Sequence, residues 1–171
     1  MLTGVVIFLL IAVSIMWIHK LGHYAAGRVV GIPPDHIRLV VLSLPQYVAL
    51  DDGKRWVSPL TFEAYLAAYR QYDPEERYLV AFLAAGLLAQ TASVVVLAGF
   101  GLLAGVPFVG QSAVLVSGML TSFHLFSDLG ARLHLGAATG DFSALFEQSP
   151  VTTVLLLVGF VGSHAVLYAQ F

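Results

Sequence analysis

Four long apolar stretches leave this chain of 171 residues few ways to fold. Inside hydrocarbon every backbone N–H and C=O must be satisfied internally, so about 20 consecutive apolar residues read as a spanning helix. The first stretch runs from Leu2 through Ile18, broken only by Thr3, Gly4 and Ser14, and continues as a helix to about Val30. Gly31-Ile32-Pro33-Pro34 ends it, because two prolines cannot continue a helix. Further spans are expected over about 77–104, 111–128 and 151–168. Charged residues make up 11% of the chain, against about 25% in soluble domains. The expected fold is therefore an all-α integral membrane protein, a single membrane domain over 1–171. A signal peptide is the competing reading of the first stretch, but neither a basic n-region nor a small-residue cleavage site accompanies it.

The connection between spans one and two is predicted to be structured. Ile37 to Leu44 and Gln46 to Leu50 read as extended segments, and Asp51-Asp52-Gly53-Lys54 as a turn leading into a hairpin with Arg55 to Ser58. Phe62, Tyr65, Leu66, Tyr69 and Tyr72 recur at near-helical spacing, the pattern of an amphipathic surface helix with tyrosines at headgroup depth. Asp73-Pro74-Glu75-Glu76 reads as the capped start of span two. Within that span, Ala84, Ala85, Gly86 and Ala89 would let a neighbouring helix come close. Thr139-Gly140-Asp141 is expected to cap a short helix through Phe146.

Charge sets orientation. Arg28, Arg38, Lys54, Arg55, Arg70 and Arg77 lie at or between the ends of spans one and two, and Arg132 follows span three. The positive-inside rule then puts the N-terminus outside and both charged connections in the cytoplasm. A net charge of −2 with no basic patch argues against nucleic-acid binding. With no cysteine, thiolate metal ligands are impossible.

Chemistry concentrates at Trp17-Ile18-His19-Lys20-Leu21-Gly22-His23-Tyr24. Histidines four apart on a helix share one face and can hold one metal ion, the spacing of the zinc-protease motif H-E-x-x-H. Lys20 occupies the glutamate position. With the N-terminus outside, span one brings His19 and His23 to the depth at which span three brings His124 and Asp128. Asp128 would complete a two-histidine, one-carboxylate zinc set that leaves a position for water; its other roles are capping the next segment or pairing with Arg132. His124, one turn before it, is a fourth ligand, a donor that orients the carboxylate, or a gate or packing residue. His164 lies in the outward-running fourth span, so it is expected near the opposite membrane face in a structural role. His36 and His134 fall in or beside loops.

His19-Lys20-Leu21-Gly22-His23-Tyr24-Ala25-Ala26-Gly27-Arg28, followed by Gly31-Ile32, resembles the opening helix of the site-2 protease family of intramembrane zinc metalloproteases. Ala85-Gly86-Leu87-Leu88-Ala89-Gln90 looks like the family's A-G-P-x-x-N motif, with Leu87 and Gln90 replacing proline and asparagine. Ser127-Asp128-Leu129-Gly130 looks like the third-helix motif, in which an aspartate before glycine is the third zinc ligand. The three motifs cover roughly residues 5 to 135, and the first is the specific one. The resemblance implies one zinc ion held by His19, His23 and Asp128, peptide-bond hydrolysis within the bilayer, and a transmembrane or membrane-proximal protein as substrate or client. It also implies that the extended segments after Ile37 hold substrate as an added strand.

Lys20 departs from that pattern where it matters most. A carboxylate beside the metal takes the water's proton and passes it to the leaving amine; an ammonium does neither. The expected function is a site-2-protease-like homologue impaired in catalysis. Two alternatives stand beside it: an active protease with an unusual base such as His124, and a small metal-binding or transport protein.

Overall fold

A computed structural model describes residues 2–43 and 46–171. Along these the order is α1 (Leu2–Val30), β1 (Ile37–Val40), β2 (Tyr47–Asp51), β3 (Trp56–Val57), α2 (Phe62–Tyr69), α3 (Leu79–Leu103), α4 (Pro107–Leu135), α5 (Asp141–Gln148) and α6 (Pro150–Tyr168). Helices α1, α3, α4 and α6 are each long and apolar enough to cross a membrane, the build of an all-α integral membrane protein. Their outer faces carry bare apolar side chains such as Val29, Leu103, Phe123 and Phe126. An apolar belt of this extent is covered by lipid rather than water.

Helices α1, α3 and α4 pack on one another, and α5 wedges against α3, α4 and α6. The α1–α3 contact is set by small residues. A side-chain carbon at Gly22 would collide with the Ala85 carbonyl and the Ala89 methyl, so glycine lets the two backbones approach. This is where the run of small residues was expected to admit a neighbour.

Strands pair antiparallel in the order β1-β2-β3, with Ile37 opposite Leu50, Val40 opposite Tyr47 and Leu50 opposite Val57. Gly53 (φ +88°) turns the β2–β3 hairpin, and Asp52 Oδ1 accepts the N–H groups of Lys54 and Arg55. These donors hold the partly exposed Asp52 carboxyl below its usual range. The end of the first expected strand, Leu44, lies outside the described residues. Only Leu50 and Asp51 of β2 pair with β3, so Tyr47 to Ala49 keep one edge without a strand partner among the described residues.

Helix α2 shows one buried and one exposed face, but its tyrosines point inward. Tyr65 and Tyr69 are buried against Phe82 of α3, at ring separations of 6.2 Å and 5.0 Å. Aromatic packing outweighs the headgroup placement that their sequence spacing suggested.

Helix α3 begins at Leu79, later than the capping signal suggested, because Glu76 takes a left-handed φ of +54° that no helix can contain. Asp73 instead organises a turn. Its buried carboxylate accepts from the Tyr69 hydroxyl (2.9 Å) and from the N–H groups of Tyr78 (2.8 Å) and Arg77 (3.1 Å). Burial pushes this carboxyl up, yet these hydrogen bonds hold it below its ordinary value. A depressed folded pKa contributes stability that is full above the unfolded value of about 3.9 and lost as pH falls through the folded one. Asp73→Ala should therefore cost roughly 1–3 kcal/mol at neutral pH. Unfolding in detergent, followed against pH, should show the two proteins converging in acid; a constant gap down to the lowest pH would contradict this.

Helix α4 overruns the expected span at both ends. Pro107 sits in its first turn and Gly136, at φ +72°, closes it after Leu135. Asp128 is thus well inside the helix.

Candidate metal centre

His19 and His23 lie on the buried face of α1 with Ile11, Ile15 and Gly27. Room for the rings comes from α3, where a side-chain carbon at Gly86 would strike Nε2 of both. Each ring is fixed by its other nitrogen. His23 Nδ1 donates to the Phe82 carbonyl at 3.0 Å, and a carbonyl can only accept. His19 Nδ1 is 2.9 Å from Gln90 Oε1. The Gln90 amide is oriented in turn: its Nε2 faces the Ser117 carbonyl (3.1 Å), Ser117 Oγ (2.8 Å) and Thr121 Oγ1 (2.8 Å). The amide oxygen therefore meets His19, and His19 Nδ1 carries the proton.

Both rings, when neutral, consequently turn a bare Nε2 lone pair to the same point. The two Nε2 atoms are 3.3 Å apart, and Asp141 Oδ2 lies 3.1 Å from each. Among the described residues, His19, His23 and Asp141 form the group of three ligating side chains whose donor atoms all lie within 4.8 Å of one another. Three acceptors so close repel one another unless positive charge lies among them. A tetrahedral zinc ion, with bonds of about 2.0–2.1 Å, holds its donors roughly 3.3–3.4 Å apart. The spacing fits.

The carboxylate expected from Asp128 is instead that of Asp141. Asp128 is buried, and its oxygens are taken up by α5: Ser143 N–H donates at 2.7 Å, and the hydroxyls of Ser143 and Thr139 donate as well. The physical reason is the length of α4. Because the helix continues past Asp128 to Leu135, the chain returns through Thr139 and Gly140 and presents α5 end-on to Asp128. Asp128 satisfies the free N–H at that end, while Asp141 swings to the histidines. Gly140 permits the approach, since a side-chain carbon there would lie 2.9 Å from the Asp128 carboxylate. Asp141 thus stands beside the two rings, where Asp128 was expected. The signal for Asp141 was an acid beside glycine after the third span, which capping explained equally well.

Asp128 thus positions the segment that carries Asp141. Asp128→Ala should weaken zinc binding about 10–100-fold, as loss of an orienting partner does, while Asp128→Asn, which keeps an acceptor for Ser143 N–H, should restore most of it. Competition with a chromophoric chelator measures both. Complete loss of metal in Asp128→Ala would instead make it a ligand.

Two cavities adjoin the donors. One, of about 20 Å³, is lined by Lys20, His23, Tyr65, Phe82 and Asp141 and has room for about one water. The other, of about 250 Å³, is lined by Lys20, Tyr47, Phe123, His124, Asp141 and Phe142 among others. His124 is half-buried on its wall, its ring 5.5 Å from that of His19. Lys20 borders both spaces, the place of a group that would act on a bound water.

The remaining histidines lie elsewhere. His36 Nδ1 is 2.8 Å from the Tyr72 hydroxyl, and His134 is exposed in the last turn of α4. His164, expected near the far membrane face, is hydrogen-bonded to Ser117, itself a partner of Gln90. Comparison with known proteins finds no matching family model, no matching curated protein and no matching solved structure.

Proposed function

We propose that this chain is a zinc-binding integral membrane protein of the site-2 protease type, with the metal held by His19, His23 and Asp141 and hydrolysis impaired by Lys20. The observation that carries this reading is the convergence of three acceptors at 3.1–3.3 Å, with both Nδ1 protons committed elsewhere. When bound, zinc would supply a Lewis acid that polarises a peptide carbonyl and acidifies water. The protein's own residues do the rest. Tyr47 on the unpaired edge of β2 lines the larger cavity, so an extended client segment adding to that edge lies beside the donors. Lys20, as an ammonium, cannot take the water's proton. The orientation that goes with this reading puts the N-terminus outside and the centre near the cytoplasmic face, on the charge asymmetry of the loops.

The test is metal analysis of the purified protein in detergent. About one zinc ion per chain is expected, with negligible cleavage of a model transmembrane peptide. A metal-free protein, with a protonated ring paired to Asp141 in place of the ion, would overturn the reading.

A further inference from the structure

Lys20 sits half-buried on a spanning helix and borders the cavity of about 250 Å³. Among the described residues it makes no hydrogen bond and no ion pair. The two acids on the same wall are engaged elsewhere. Asp128 accepts from Ser143, and Asp141 Oδ2 lies against the two imidazoles. An ionisable group within a span is costly unless it is paired, and such groups mark the paths and sites of ligands. Lys20 therefore lacks a counter-charge that the protein itself does not supply.

The remainder of the cavity describes what would bring that charge. Met16, Leu60, Leu120, Phe123 and Phe142 make most of its wall apolar. Phe123 also belongs to the outer apolar face, so the space is reached from the hydrocarbon rather than from water. An occupant from that side is an amphiphile with an apolar tail and an anionic head. One ammonium calls for one negative charge. The volume falls short of the 300–1,000 Å³ of pockets that enclose drug-sized ligands, so it suits a single chain rather than a two-chain phospholipid.

We propose that this cavity binds a free fatty acid from the surrounding bilayer, its carboxylate on the Lys20 ammonium and its tail against Leu120, Phe123 and Phe142. No metal is needed, since Lys20 is not among the three clustered donors, so this site goes beyond the zinc reading.

The test uses the full chain in phosphatidylcholine vesicles and decanoic acid carrying a photoreactive diazirine near the tail end. Labelling should saturate and map to the α4 segment containing Leu120 and Phe123. Lys20→Gln should raise the half-saturating concentration about 10–100-fold, the loss of one hydrogen bond to a charged group, while Lys20→Arg should stay near wild type. The corresponding decanamide, scaled to the probe in the membrane, should label the wild type as weakly as the acid labels Lys20→Gln. That comparison needs no variant, so it decides the matter if Lys20→Gln does not fold. Equal labelling by acid and amide, an unchanged Lys20→Gln, or labelling confined to other segments would overturn the proposal. Each arm is run with zinc and with chelator. A preference for the acid that vanishes with chelator would put the carboxylate on the metal and also overturn it. A wild type that binds no zinc fails the metal reading, while the acid and amide still decide this one.

Discussion

His23→Ala is expected to abolish zinc uptake, taking the metal content from about one ion per chain to none. His23 contributes one of three donors, and its ring is locked so that Nε2 has nothing to do except face His19 and Asp141. Its removal leaves one imidazole and one carboxylate, fewer than the three protein ligands that zinc sites keep even when a position is open. The loss should also be visible in stability. A ligand at a thousandfold excess over its Kd stabilises the folded state by about 4 kcal/mol. Thermal unfolding in detergent, with zinc and with chelator, should show that increment in the wild type and none in His23→Ala. If His23→Ala kept its zinc while Asp128→Ala lost it, the ligand set would have to be redrawn around Asp128.

Lys20→Glu is expected to switch proteolysis on, with a gain of roughly 10²–10⁴ in cleavage of a model transmembrane peptide. The position is right for the role: residue 20 lies between the two ligands in sequence and borders both the water-sized space beside His23 and Asp141 and the larger cavity. A carboxylate there can accept a proton from water and return it to the leaving amine. The gain should vanish in the double variant with His23→Ala, which separates metal-dependent cleavage from a contaminating protease. Equal cleavage by wild type and Lys20→Glu would refute the assignment of Lys20 as the lesion. Wild-type cleavage that disappears in His124→Ala would put the base on α4 instead.

Much of this was legible in the residues, and the parts that were not share a cause. The four spans follow from apolar length alone, and the His19/His23 pair from helical spacing, because both are local properties. The β2–β3 hairpin was likewise announced by Asp52 and Gly53. The place of Asp141 beside His19 and His23 was not legible. Its neighbours Thr139 and Gly140 read as a helix cap, and the depth argument that favoured Asp128 assumed that the third helix ended there. It runs on to Leu135, and the end of a helix is what sequence periodicity resolves least well. The contacts of His164 with Ser117, and of Ser117 with Gln90, were not legible either. Pairings between elements far apart in the chain carry no periodic signal.

Asp141 lies 118 residues after His23, on a helix reached only after α4 is complete. At translation rates of about 5–20 residues per second, its carboxylate emerges some 6–24 s after that imidazole. During that interval the nascent chain has the two imidazoles of the cluster without its carboxylate. If the centre holds zinc as proposed, its full donor set would therefore exist only once the bundle is complete.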